Sequence, residues 1–373
     1  MTGLYLHIPF CRRKCPYCDF NSYAGMEAQI PAYLEALGRE MALRAAEADP
    51  VDTVYVGGGT PTLLGGERLA RLLGAVGEAF QVAPEAEATV EANPGTVDAD
   101  LLRALRAAGC NRLSVGVQSF DDDVLRFLGR IHTAEEAGQA VALAREAGFE
   151  NLSLDLIHSV PGQHLESWRR TLEQARDLGV EHVSAYALTV EPGTPLAERM
   201  AAGEAEPVAD EASLEMMRLA HEVLGRSGLA RYEISNFAQP GRECRHNLAC
   251  WRGGEYLGLG AGAHSFAGGI RWANVAAPGA YVEMLAAGHL PVAWAERLSR
   301  ERRAEEALLL ALRTTEGAPV SRLEAPIGRD CGQARRNTRE LVEAGLLEVA
   351  AGRLRLTEAG VAVANDVFLR LMS

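Results

Sequence analysis

Two rhythms take turns along this chain. Short apolar runs give way to longer stretches with a 3.6-residue period, and the exchange repeats from the first residues onward. Gly3–Ile8 is the first run, and Pro31–Ala46 follows at helical spacing with Leu34, Leu37, Met41 and Ala45 on one side. Thr53–Val56 predicts a strand and Glu67–Phe80 a helix; Glu87–Val90 predicts a strand and Asp100–Ala108 a helix. Leu113–Val117 is a strand followed by two helices broken near Arg130–His132. Leu152–Ile157 and Val183–Leu188 are strands separated by a helix over Trp168–Leu178. Six β/α units in sequence predict an α/β fold with a parallel sheet, of a length that suits a partial (β/α)6 barrel.

The texture changes twice further on. A less regular stretch holds an amphipathic helix near Asp210–Ser227 and a Gly-rich tract from Gly253 to Gly269. From about Leu298, helices over Glu301–Arg313 and Gln333–Ala344 precede a hairpin, Leu346–Leu356, that turns at Ala351-Gly352. Helix, helix and small wing predict an α+β winged-helix-like module at the C-terminus. The expected divisions are residues 1–206 for the barrel, 207–297 for an extension of it and 298–373 for the C-terminal module.

Polar residues fall where the apolar runs end. Gly57–Thr60, Glu91 and Gln118 follow directly on strand C-termini, and Asp155 interrupts another strand. That rim is where β/α barrels build their sites. The loop leaving the first strand carries Cys11, Cys15 and Cys18 at C-x3-C-x2-C spacing. Three thiolates on one short loop can hold three irons of a [4Fe–4S] cluster and leave the fourth iron open to a substrate or cofactor. Electron carriers close all four positions with cysteine. A structural zinc site would want four ligands, and only His7 could complete the set locally. A disulfide framework belongs to small chains in oxidising compartments.

Composition narrows the partners. Apolar residues make up 48% of the 373, ample for a core. The seven cysteines are odd in number and scattered outside the first cluster, which suits a reducing, cytoplasmic setting. No signal-peptide pattern and no membrane-spanning apolar run is present. A net charge of −13 argues against bulk nucleic-acid binding. The C-terminal stretch from Arg300 is nearly balanced, with 12 Arg against 11 Asp and Glu, and Arg335, Arg336 and Arg339 form a modest basic face. Lys14, the only lysine, lies in the cysteine loop, where a cation would help hold electron-rich thiolates.

An open iron needs a chelating partner, and the amino and carboxylate groups of S-adenosylmethionine would fit. Gly58 and Gly59 would let backbone groups approach the methionyl ammonium closely. Glu91 would pair with that ammonium, Arg130 with the carboxylate, and Gln118 and Asp155 would hold ribose hydroxyls. Electron transfer from the cluster would cleave the sulfonium to a 5′-deoxyadenosyl radical, which a barrel shields from water.

Tyr5-x-His7-Ile8-Pro9-Phe10-Cys11, Cys15-Pro16-Tyr17-Cys18, Gly57–Thr62, Gly116–Phe120, Leu154–Ile157 and the C-terminal module stand in one order along nearly the whole chain. In that order they resemble the radical S-adenosylmethionine superfamily, and within it the oxygen-independent coproporphyrinogen III dehydrogenase group. The resemblance implies cluster ligation by Cys11, Cys15 and Cys18. It also implies an S-adenosylmethionine site lined by Tyr5, Tyr17, Gly58, Gly59, Thr60, Glu91, Gln118, Arg130 and Asp155, with Ala187 and His264 as further candidates.

Two departures separate the chain from the true dehydrogenases. Those have a further cysteine two residues after the third ligand, where this chain has Phe20, and an extension before the cluster for which Cys11 leaves no room. Both departures point to the related haem chaperone branch, which binds haem and inserts it into client haemoproteins. That branch carries H-N-x-x-Y-W; the segment here is His246-Asn247-Leu248-Ala249-Cys250-Trp251, with cysteine in place of tyrosine. The resemblance makes His246 a candidate haem ligand, with a hydrogen-bonded structural histidine as the alternative. Cys250 is a small apolar substitute or, less favoured, a soft iron ligand. Cys110 and Cys331 are expected to be buried thiols, and Cys244 either that or part of a second metal site with His246.

The leading expectation is a cytoplasmic radical-S-adenosylmethionine-type haem chaperone. Its cofactors would be a [4Fe–4S] cluster and S-adenosylmethionine, with haem as cargo. Its partners would be client apo-haemoproteins and an electron donor, and not nucleic acid. The second reading is oxidative decarboxylation of coproporphyrinogen III to protoporphyrinogen IX. The third is a redox-sensing regulator whose winged helix contacts DNA. Whether S-adenosylmethionine is turned over or only bound stays open, and no residue is assigned as catalytic.

Overall fold

Alternation within one strand sets the plan of the molecule, whose computed structural model describes residues 2–45, 50–324 and 331–372. In β1 (Thr2–Ile8), Leu4, Leu6 and Ile8 are fully buried in the main apolar core. Gly3, Tyr5 and His7 leave the opposite face, as successive strand residues must. After β1, two-residue strands β2 (Phe10–Cys11) and β3 (Tyr23–Ala24) pair in parallel and close the neck of the cysteine loop.

Five further strands repeat the plan of β1: β4 (Val51–Gly58), β5 (Val82–Ala92), β6 (Arg112–Gln118), β7 (Leu152–His158) and β8 (His182–Ala187). With β1 they lie side by side in chain order, every pair parallel. Val54, Val56, Val90, Leu113, Val115, Leu154 and Val183 continue the outward apolar layer, against helices such as Gly66–Ala79, Ala99–Ala107 and Leu165–Asp177. The expected strands and helices are all present, with ends shifted by up to a few residues. Ala46, expected to end the first helix, lies outside the described residues; that helix is Ile30–Arg44. The break near Arg130 is real: one helix covers Asp122–Phe127, and the next, Ala134–Glu146, starts on a capping box made by Thr133 and Glu136.

The less regular stretch contributes more sheet than its pattern suggests. β9 (Ala230–Arg231) and β10 (Asn236–Ala238) add antiparallel strands beside β8. β11 (Glu255–Leu259) pairs parallel with β1, and β12 (His264–Ala267), β13 (Ile270–Asn274) and β14 (Val292–Arg297) continue antiparallel beyond it. The result is a mixed sheet of twelve strands in the order β14-β13-β12-β11-β1-β4-β5-β6-β7-β8-β10-β9, parallel through its middle and antiparallel at both ends. Glu40 ties the extension down from the first helix. Its buried carboxylate accepts from Gly260 N (2.8 Å), Asn274 Nδ2 (2.7 Å) and the Tyr281 hydroxyl (2.6 Å).

The C-terminal stretch has its own apolar cluster, including Leu308, Leu312, Leu341, Leu347, Leu354 and Val367. Helices Arg300–Leu312 and Cys331–Glu343 and a three-stranded sheet match the winged-helix-like expectation. Two closing helices, Glu358–Ala362 and Ala364–Met372, were not foreseen. The stretch meets the barrel where Arg313 lies over the Trp251 ring (4.5 Å) and Thr315 N donates to Tyr232 O (3.0 Å). No helix among the described residues is long and apolar enough to cross a membrane.

Candidate functional site

One cavity of about 510 Å³ opens at the C-terminal ends of the parallel strands. Cys11, Cys15 and Cys18 all line it. Their loop is held from several sides. Cys18 N donates to Cys15 O (3.2 Å), and Leu196 N donates to Pro16 O (2.9 Å). Asn21 Nδ2 reaches across to Ala261 O (2.9 Å) and Ala276 O (3.0 Å). That crossing explains part of the Gly-rich tract: a Cβ on Gly262 would lie 2.4 Å from Asn21 Nδ2. Thr60 Oγ1 donates to Cys11 Sγ (3.6 Å) and Arg130 Nη1 to Cys15 Sγ (3.5 Å). Burial pushes the Cys11 and Cys18 thiols up from their ordinary pKa, so metal binding there must displace protons.

The Gly57-Gly58-Gly59 turn makes room for side chains and backbone of the protein itself. A Cβ on Gly57 would sit 2.8 Å from the Glu91 carboxyl carbon, and one on Gly58 would sit 2.5 Å from the His7 ring. A Cβ on Gly59 would meet Phe10 O at 2.7 Å. Gly58 and Gly59 thus make room for the protein's own groups, besides the ligand approach expected of them. Glu91 is set by this turn: Tyr55 Oη donates to its Oε1 (2.9 Å) and Gly58 N to its Oε2 (3.0 Å). Burial, reinforced by the nearby Asp155, raises the Glu91 pKa to about 7.

Across the cavity, Arg130 Nη2 donates to Gly116 O (2.7 Å), while its buried Nε has no hydrogen-bond partner. Gln118 ends β6 at φ +68°, a left-handed conformation that costs a non-glycine residue of order 1 kcal/mol. Asp155 accepts from Ser114 Oγ at 3.1 and 3.3 Å, and burial raises its pKa. Tyr17, Gly58, Gly59, Thr60, Glu91, Gln118, Arg130, Asp155 and Ala187 therefore meet on one surface with the three cysteines.

Three candidates lie elsewhere. Tyr5 is not among the lining residues; its hydroxyl donates to His7 Nδ1 (2.9 Å), while His7 Nε2 donates to Asn21 O (2.8 Å). His264 is exposed on β12 and packs edge-on against Trp294, outside the cavity. His246 is only 6% exposed, at the opposite end of the barrel. Its Nδ1 shares a hydrogen bond with Thr53 Oγ1 (2.9 Å), its ring lies 5.2 Å from that of Tyr55, and burial lowers its pKa to about 4. These contacts are those of the hydrogen-bonded structural histidine.

That lower end of the barrel is a hydrogen-bonded polar layer that reaches the cavity through His182 and Asn247. Glu87 accepts from the backbone N–H groups of Arg245 and His246 (both 3.1 Å) and from Cys244 Sγ (3.7 Å). His182 joins Ser153 Oγ (2.7 Å) to the Tyr232 hydroxyl (2.8 Å). Cys244 is a buried thiol, and Cys250 is half-buried with its pKa pushed up by burial to about 11. Cys110 is buried; the Cys331 side chain lies outside the described residues. No three His, Cys, Asp or Glu side chains among the described residues converge as the ligands of a single metal ion would. A multi-iron cluster needs no such convergence, because each thiolate takes a different iron.

Sequence reasoning missed Tyr55, Arg112, Ser114, Ser184 and Asn247, which all line the cavity. The signal for four of them was present: Tyr55, Arg112, Ser114 and Ser184 are polar and alternate with buried apolar neighbours along their strands. The residues present fit the expected groups. Thiols at the rim can hold a cluster, the Glu91 carboxylate can take an ammonium, and the Arg130 guanidinium lines the same cavity, where it can take a carboxylate.

Comparison with known proteins agrees along the whole length. The Radical SAM superfamily model matches residues 5–189, and the HemN C-terminal domain model matches residues 298–363. The chain is 43% identical to the heme chaperone HemW of Mycobacterium tuberculosis, over 99% of this chain and 94% of that protein. It is 38% identical to the heme chaperone HemW of Bacillus subtilis, over 99% and 98%. The solved structure of coproporphyrinogen III oxidase (HemN) from Escherichia coli, a radical SAM enzyme, superposes with a TM-score of 0.86 at 25% identity, covering 99% of this chain and 89% of that one.

Proposed function

The chain belongs to the radical SAM superfamily and to its HemW group, and from that premise we propose that it is a haem chaperone. It holds a [4Fe–4S] cluster on Cys11, Cys15 and Cys18, binds S-adenosylmethionine in the adjoining cavity, and carries haem to apo-haemoproteins. The observation that carries the reading is the meeting of three thiols, one carboxylate and one guanidinium at a single rim, in a chain similar end to end to proteins named heme chaperones.

A cluster held on Cys11, Cys15 and Cys18 would supply an electron for reductive cleavage of S-adenosylmethionine. The chain's own residues do the rest. Glu91, held by Tyr55 and the Gly58 N–H, receives the ammonium. Arg130, braced on Gly116 O, receives the carboxylate. Asp155, steadied by Ser114, receives ribose hydroxyls.

The test is anaerobic reconstitution followed by two assays on one sample. Coproporphyrinogen III with reductant should show no loss of carboxylates by mass spectrometry, and haem-loaded protein should restore an apo-haemoprotein. Conversion to protoporphyrinogen would instead make the chain a dehydrogenase, despite Phe20.

A further inference from the structure

Phe20 stands where the dehydrogenases have a cysteine, and its position is unusual for so apolar a residue. It is 63% exposed at the rim of the cavity, two residues after Cys18. Tyr186, 40% exposed, and Leu188 line the same opening from the end of β8. Three apolar side chains thus stand open together at one mouth, and such a group marks a contact surface.

The charge beside Phe20 is equally local. Arg12, Arg13 and Lys14 are consecutive and exposed in a protein of net charge −13, and Arg13 and Lys14 line the opening. Lys14 Nζ donates to Phe20 O (2.9 Å), which fixes a cation next to the phenyl-bearing residue. Neither Arg13 nor Lys14 is ion-paired to a carboxylate among the described residues. Asp19 and Glu191 also line the opening, so its cationic side is confined to the start of the cysteine loop. A flat apolar face edged by cations on one side fits a planar macrocycle with carboxylate arms.

Resting on the haem chaperone reading above, we propose that haem docks at this mouth, with its ring against Phe20 and Tyr186 and its propionates against Arg13 and Lys14. His246 takes no part. It is buried at the other end of the barrel against Thr53 and Tyr55. A site that grips the ring and the propionates leaves the iron's own coordination for the client, so transfer runs downhill when the client supplies an iron ligand. Metal-free protoporphyrin IX should then bind nearly as well as haem.

The experiment titrates the full-length, cluster-reconstituted protein with haem and, separately, with protoporphyrin IX, following absorbance and fluorescence quenching. Phe20→Ala should weaken both ligands about tenfold, the ratio expected for a phenyl that loses a partly buried contact. Phe20→Leu should recover most of that loss. Arg13→Glu with Lys14→Glu should weaken both by at least about tenfold, less so at high salt. His246→Ala should bind haem within about twofold of wild type, the scatter of such titrations. Iron and sulfide content shows whether a variant next to Cys18 still assembles its cluster. The docking proposal is overturned if the Phe20 and charge variants bind like wild type, or if metal-free porphyrin binds about a hundredfold more weakly than haem. If wild type binds neither ligand, the chaperone reading itself falls.

Discussion

The two ends of the barrel interior are made by the same strands and the same alternation, yet they are opposite in kind. At the lower end, Thr53, Glu87 and Ser153 are polar groups closed on His182 or on the segment from Tyr232 to His246, and His182 forms part of the cavity floor. At the mouth, Glu91, Gln118, Arg130 and Asp155 border open space, and Arg130 keeps a buried Nε without a partner. Buried polar groups that satisfy one another specify the fold; those left facing a cavity are held for something else. The inward face of one strand, Glu87-x-x-x-Glu91, contributes an acid to each end.

The comparison can be broken first at the cysteines. Cys15→Ala should abolish bound iron and cluster absorbance entirely, while the thermal midpoint of the metal-free chain moves by less than about 3 °C. A large fall in that midpoint would make the loop part of the fold's support. Glu87→Ala tests the other end. It uncaps Arg245 and His246 and removes one of the acids near the buried Arg112, at a cost of about 3 kcal/mol in denaturant unfolding. If S-adenosylmethionine affinity fell while stability held, the two ends would not be distinct.

Glu91→Gln should weaken S-adenosylmethionine about tenfold or more, because a charge-assisted contact is lost. Stability should not fall. A folded pKa raised from the ordinary 4.5 to about 7 means that stability is lost as pH rises across that interval, and glutamine removes that cost. The same shift predicts a pH effect in wild type. Protonation of Glu91 removes the ammonium's partner, so affinity should rise with pH through about 7, by roughly tenfold between pH 6 and pH 7.5 in equilibrium dialysis. A flat profile would separate Glu91 from the ammonium. Tyr55→Phe is the smallest change. Loss of its 2.9 Å bond to Glu91 should cost about threefold in affinity.

The order of the six β/α units, the cysteine loop and the rim acids could be read from the chain, because strand alternation and thiol spacing are local properties. The extension could not. β9 and β10 have two and three residues, too short for a period to register, and β11 joins β1 only after some 250 residues of intervening chain. The closing helices after Thr357 were missed because the expectation stopped at the wing.

His246 shows the limit of sequence most directly. A histidine in a motif carries ligand chemistry on paper whichever way it faces. Whether its nitrogens meet solvent or Thr53 depends on where the helix Arg245–Trp251 packs, and that is set by contacts nearly two hundred residues away in sequence. The chain by itself determined which residue types stand at each strand end, since backbone geometry sends alternate side chains to opposite faces. Only the tertiary structure decided which inward groups find partners and which face open space. Satisfaction of a buried polar group depends on what packs over it, and no local pattern records that.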